Sequence, residues 1–266
     1  MTRLLQVSKQ PSTISKPWPM RQIRKQAPPP ALTEWIAANQ SGPNSGYSSV
    51  SGELRKIIRT SLVAEQGGLC AYTGRKIDVD SCHIEHLKPQ AYCQGLEDVT
   101  YRNLVAAVPA PNAPKLPYGA QFKDNWPSDD EAALFISPLQ DGCAARFSYN
   151  FRGEIHPANT ADAAATETIK RLGLDHSILV SFRREAINRT LQAPKKGSAS
   201  LDPKAARRRL DGLQQKDAGS EPLEPFSFAL INALEKHINR IQKLRVGFET
   251  HADRANRRNM SMAAAA

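Results

Sequence analysis

The stretch Cys82-His83-Ile84-Glu85-His86-Leu87-Lys88-Pro89-Gln90 constrains this chain more than any other. It is a β-prone run that stops at a proline, and proline cannot donate to a strand ladder, so a strand ending near His86 is expected. Neighbouring side chains on a strand point to opposite faces. Glu85 and His86 would therefore diverge, which suits a metal ligand and a general base side by side. Phosphodiester hydrolysis needs that division of labour: a divalent cation offsets charge on the leaving oxygen while a neutral imidazole takes a proton from water. A lone Glu-His dipeptide more often belongs to a solvated loop, so the flanks decide.

Upstream, Leu54, Ile57, Ile58, Leu62 and Val63 recur at spacings of three and four from Ser51, predicting a helix that Gly67-Gly68 ends. Glycine reaches positive φ at little cost, so the pair suits a tight turn into Leu69-Cys70-Ala71-Tyr72-Thr73-Gly74. A hairpin is expected, its first strand near Cys70 to Tyr72 and its second from about Ser81 to His86. A short helix near Asn112 would close the motif. Asn103, in Tyr101-Arg102-Asn103-Leu104-Val105, would bond near the histidine and hold the ring's aim.

Composition narrows the partners. The chain has 266 residues, enough hydrophobic content for a core at 40%, and a net charge of +10, which points to a polyanion such as nucleic acid. Its four cysteines form no Cys-x-x-Cys pair, which argues against a disulfide scaffold. No leader-like apolar core and no run of about 18 apolar residues is present, so neither a signal peptide nor a membrane partner is expected and a cytoplasmic location follows. No P-loop motif occurs, and ATP, if used, is handled by another chain.

Residues 1–50 read as an extended, basic, proline-rich arm with a short helix from Leu32 to Ala38, and residues 51–158 as the catalytic core. Late in that core, Phe147, Tyr149 and Phe151 alternate before Arg152-Gly153 turns the chain toward Glu154-Ile155-His156, a second hairpin with its aromatics on the core face. Residues 159–193 read as a helical pair, the first capped at Asn159 or Thr160 and stopped by Gly173, the second starting at Asp175. Residues 194–225 read as a linker with a short helical piece around Ala205 to Leu213. There Arg207-Arg208-Arg209 are the best candidate for a phosphate-contacting surface, although a charge run is usually a solvated face. A last helix in 226–262 carries an apolar stripe of Ile231, Leu234, Ile238, Ile241 and Phe248 that needs cover.

The whole order of motifs, Leu69-Cys70-Ala71-Tyr72, Ile84-Glu85-His86-Leu87-Lys88-Pro89, Tyr101-Arg102-Asn103-Leu104 and Asn112-Ala113-Pro114-Lys115, resembles the HNH, or ββα-metal, endonucleases of Septu and retron-linked anti-phage systems. The resemblance runs from about residue 20 to 190. It implies an α+β fold with a ββα-metal core flanked by helices, and a nuclease dependent on Mg²⁺ or another divalent cation, acting on nucleic acid beside a separately encoded ATPase subunit. It implies Glu85 and Asn112 as metal ligands, His86 as general base and Asn103 as its orienter. Lys88, Lys115 and Lys123 join the three arginines as candidate phosphate contacts. Similar proteins often carry a zinc held by two Cys-x-x-Cys pairs. Here only Cys70 is retained, with Thr73, Val108 and Pro111 at the other positions, so a structural zinc is not expected. The alternative is a catalytically degenerate nucleic-acid-binding or scaffold subunit of the same kind of complex.

Overall fold

In the computed structural model, which describes residues 22–40, 46–192, 201–218 and 222–244, the first helix, α1 (Pro30–Ala38), starts on a proline. A missing N–H costs nothing at that position. Helix α2 (Gly52–Glu65) is capped by Ser51, whose hydroxyl accepts the Leu54 amide at 3.2 Å, and it buries Leu54, Ile58 and Leu62. It ends where Gly67 and Gly68 take φ of 63° and 72°. Within the stretch read as an arm, Ile23, Leu32 and Val50 are buried, and the Ile23 amide bonds Pro138 O at 2.8 Å.

The hairpin differs from expectation in its partner. Residues 68–77 form a tight ribbon, closed by Ile77 N to Gly68 O and Cys70 N to Arg75 O, both 2.8 Å. Gly74 sits in it at φ 70° with the Phe228 ring so close that a Cβ would come within 2.2 Å. Strand β1 (His83–His86) pairs antiparallel with β2 (Leu104–Ala107), His83 opposite Ala107 and His86 opposite Leu104. Leu104-Val105-Ala106-Ala107 has modest strand propensity, and burial overrides it: all four residues are buried. The buried Gln66 carboxamide completes the far edge, accepting Ala106 N at 2.7 Å and donating to Ala106 O at 2.9 Å. Ala71 N reaches the same carbonyl at 3.1 Å.

No helix forms at Asn112. Pro109, Pro111, Pro114 and Pro117 deny that segment its helical donors, and Asn112 is an exposed turn residue at φ 63°. The helix that follows the strands is the single turn α3 (Ala120–Lys123).

The second hairpin forms as expected, β3 (Phe147–Tyr149) against β4 (Ile155–Pro157), with Phe147 and Tyr149 buried and Phe151 exposed. Helices α4 (Ala163–Arg171) and α5 (Ser177–Leu191) follow, capped by Asp162 and His176 rather than by the residues expected. The stretch read as a linker holds a full helix, α6 (Pro203–Ala218), with Ala206, Leu210 and Leu213 buried. A last helix, α7 (227–244), is covered by this chain itself: Phe228 lies 5.3 Å from the Tyr149 ring, and Asn232 Oδ1 accepts the Tyr149 amide at 3.1 Å. One continuous apolar cluster runs from Ile23 to Ile238, and the described helices and two small sheets make an α+β fold. Phe248 of the expected stripe lies outside the described residues.

Candidate active site

Strand β1 sorts its polar residues by face. His83 and Glu85 point one way, Ile84 and His86 the other. On the first face, Glu85 Oε1 receives the Lys123 ammonium at 2.9 Å and the Tyr72 hydroxyl at 3.4 Å, while Oε2 lies 3.8 Å from His83 Nε2. Lys123 also donates to His86 O at 3.0 Å, and its side chain is only 1% exposed against 14% for Glu85. Burial pushes the Glu85 carboxyl up, but His83 and Lys123 outweigh it and hold the group below the ordinary carboxylate value. Burial and the neighbouring Glu85 charge push the Tyr72 phenol well up. Burial alone would lower the His83 imidazole, yet Glu85 and the Pro109 carbonyl leave it raised.

The second face carries His86, which is buried and meets the edge of the Tyr47 ring at 4.7 Å. Its Nε2 lies 2.8 Å from Asp98 O. A carbonyl only accepts, so the neutral ring carries its proton on Nε2 and keeps the lone pair on Nδ1. Burial holds this ring below the ordinary imidazole value, against the pull of the Asp98 carbonyl and the Glu85 charge. His86 is thus biased toward its neutral form.

Asn103 stands one remove from that ring. Its Oδ1 accepts Lys88 N at 2.7 Å, and its Nδ2 donates to Lys88 O at 3.1 Å and Glu97 O at 3.2 Å. These bonds tie together the two ends of the loop 87–103 and fix the peptide next to Asp98, whose carbonyl holds His86.

No protein-family model matches the chain. Over 144 residues it is 30% identical to a protein of Vibrio cholerae serotype O1 biovar El Tor named "Retron Vc95 putative HNH endonuclease", an alignment covering 52% of this chain and 67% of that protein. The chain belongs to the HNH endonuclease family.

Against HNH expectations the remaining residues divide. Asn112 is exposed, three residues beyond Pro109, whose carbonyl accepts His83 Nδ1–H at 2.7 Å, so that bond tethers the Asn112 turn to β1. The same bond leaves the lone pair of a neutral His83 on Nε2, facing Glu85. A carboxylate and an imidazole so arranged are two donors of the kind a divalent cation takes. Among the described residues no cluster of three His, Cys, Asp or Glu side chains could hold one, and the positive charge on Glu85 is supplied by Lys123.

Lys123 is therefore no phosphate contact: it is buried, where a solvated lysine or a phosphate clamp is expected. Its ion pair with Glu85 joins residues 38 apart, and no local pattern announces it. His83 and Tyr72 are the other members of the cluster that sequence reasoning passes over. The period-two spacing of His83 and Glu85 is the available signal. Lys88 is already paired, with Glu97 at 2.9 Å and Asp129 at 3.4 Å, and Lys115 is exposed. Arg207, Arg208 and Arg209 are exposed on α6, with Arg209 engaging both oxygens of Glu224 at 2.6 Å. Cys70 and Cys82 are both buried, and burial pushes the Cys82 thiol up to about 11.

Proposed function

We propose that this chain is a divalent-cation-dependent HNH endonuclease that hydrolyses phosphodiester bonds in nucleic acid, DNA in the first instance. In this reading β1, β2 and α3 form its ββα core, and it acts in the cytoplasm in anti-phage defence beside a separately encoded ATPase. The observation that carries the chemistry is His86: neutral, buried, and held through Nε2 by a carbonyl that Asn103 steadies. Its Nδ1 takes the proton of an attacking water. Glu85 and Asn112 would hold the cation, Mg²⁺ or a similar ion, which when bound offsets charge on the leaving oxygen. The word retron in the relative's name supports the defence setting. Exposed Arg207, Arg208 and Lys115 suit phosphate contacts, in keeping with the net charge of +10.

A second reading, a non-catalytic binding subunit, is favoured by the Lys123–Glu85 ion pair, which neutralises the one carboxylate among the proposed ligands. Plasmid cleavage by the purified protein, with and without the neighbouring ATPase and with Mg²⁺ or Mn²⁺, separates the two. Cutting is expected, with a loss of about 10²- to 10⁴-fold in His86→Ala. Salt-sensitive DNA binding with no cutting under any of these conditions would establish the binding subunit instead.

A further inference from the structure

The Lys123 ammonium does what a metal ion does at a carboxylate. It is held by two oxygens, Glu85 Oε1 at 2.9 Å and His86 O at 3.0 Å, on a side chain 1% exposed. Two cations cannot share that carboxylate oxygen without strong mutual repulsion. We propose that Lys123 is a built-in competitor for the divalent cation, so that a metal ion and the Lys123 ammonium occupy Glu85 in alternation. The inference rests on the reading of Glu85 as a metal ligand.

Two further features show how Lys123 could leave. It is the last residue of α3, a single turn bounded by Gly119 at φ 80° and by Asp124 at φ 51°, ψ −131°. A non-glycine residue in that region stores backbone strain, so the segment ends on a joint that gains by rearranging. Lys123 also lines an open cleft of about 650 Å³ with Asp124, Trp126 and Glu131. That cleft is also lined by Lys170 and by Arg171, which already pairs with Glu131 at 3.1 Å, so an ammonium swung into it finds the Asp124 carboxylate, and its departure frees Glu85 Oε1. His83 needs no comparable movement, because the Pro109 carbonyl already fixes its ring.

Two measurements on the full chain test the exchange, and neither reads cleavage. The first is Mn²⁺ binding followed by the electron paramagnetic resonance signal of the free ion, in wild type, Lys123→Met, Glu85→Gln and the double variant. A charge within about 4–6 Å moves a neighbour's ionic equilibrium by one to three decades. Lys123→Met is therefore expected to tighten one Mn²⁺ site by roughly ten- to a thousandfold, and the double variant to lose that gain. Equal binding by wild type and a folded Lys123→Met, or a gain that survives Glu85→Gln, overturns the proposal. The second uses wild type alone and decides the matter if Lys123→Met does not fold: amine acetylation read by peptide mass spectrometry. Lys123 should resist acetylation without metal and react when Mn²⁺ is added. Protection unchanged at millimolar Mn²⁺ overturns the exchange. A protein that cuts nothing can still pass both tests, and an active nuclease can fail both, so this proposal and the nuclease reading fail separately.

Discussion

The two hairpins carry the same pair of residues in different surroundings. In β1, His83 Nε2 lies 3.8 Å from Glu85 Oε2; at β4, His156 Nε2 lies 3.8 Å from Glu154 Oε2. Both pairs are two residues apart, the first on one face of β1 and the second spanning the turn and the start of β4. The first pair is 20% and 14% exposed, the second 55% and 43%. Around Glu85 stand Lys123, Tyr72 and an imidazole anchored by a carbonyl. Glu154 instead bonds Asn150 within its own turn. A histidine beside a glutamate is therefore not a site. Removal from water, which strengthens every charge interaction, and a third group that fixes the geometry are what set the first pair apart.

Matched substitutions press on that contrast. Glu85→Gln should lower cleavage by about 10²-fold or more, the scale of losing one group that stabilises transition-state charge, whereas Glu154→Gln should leave it unchanged. Similar losses in the plasmid assay would erase the distinction. Stability should separate the pairs as well. Glu85→Ala leaves the Lys123 ammonium buried without its counter-charge, a change that costs about 3–5 kcal/mol. Glu154→Ala alters an exposed pair and should stay within about 1 kcal/mol. Urea denaturation of both variants gives the difference directly.

Asn103→Ala tests the other face of β1. It removes the bonds to Lys88 N, Lys88 O and Glu97 O and should destabilise the protein by roughly 1–3 kcal/mol. A purely structural role would end there. If Asn103 aims His86, the ring also loses part of the burial that keeps its pKa low. The acidic limb of the pH–rate profile then moves to higher pH, toward the ordinary imidazole value, and an unmoved limb would reduce Asn103 to a loop clamp.

How much of this was legible in the sequence follows the range of the forces involved. Strand β1, the α2 helix with its glycine stop and the second hairpin are set by local spacing and turn chemistry, and each forms where the residues say. Strand β2 was missed because alanine hides a strand that burial alone enforces. The helix expected near Asn112 is excluded by Pro109, Pro111, Pro114 and Pro117. The Lys123–Glu85 pair, the Gln66 carboxamide that completes the edge of β2 and the docking of α7 through Asn232 join residues 38, 40 and 83 positions apart. No period of two or 3.6 encodes such contacts.

Glu235 on α7 sharpens the comparison once more, because it is a part-buried acid that pairs with no lysine among the described residues. Its Oε2 is buried with no described hydrogen-bond partner, and burial pushes the carboxyl up to about 7, against the pull of the Arg207 charge. Glu85, more deeply buried, is held low by His83 and Lys123. The sign of the linkage follows. A carboxyl whose folded pKa lies above its unfolded value contributes stability that is complete below the unfolded value and fades as pH rises through the folded one. Wild type should therefore lose stability relative to Glu235→Gln between about pH 5 and pH 8. Allowing for solvent screening of a part-exposed group, the loss is roughly 1–2 kcal/mol. His86, held low, loses its contribution below its ordinary value as pH falls, but both proteins share it, so it cancels from the difference. Urea midpoints of the two proteins from pH 5 to pH 8.5 measure that difference. A flat line would mean that burial without a partner does not by itself set a carboxyl apart here, and that Lys123 is not what distinguishes Glu85.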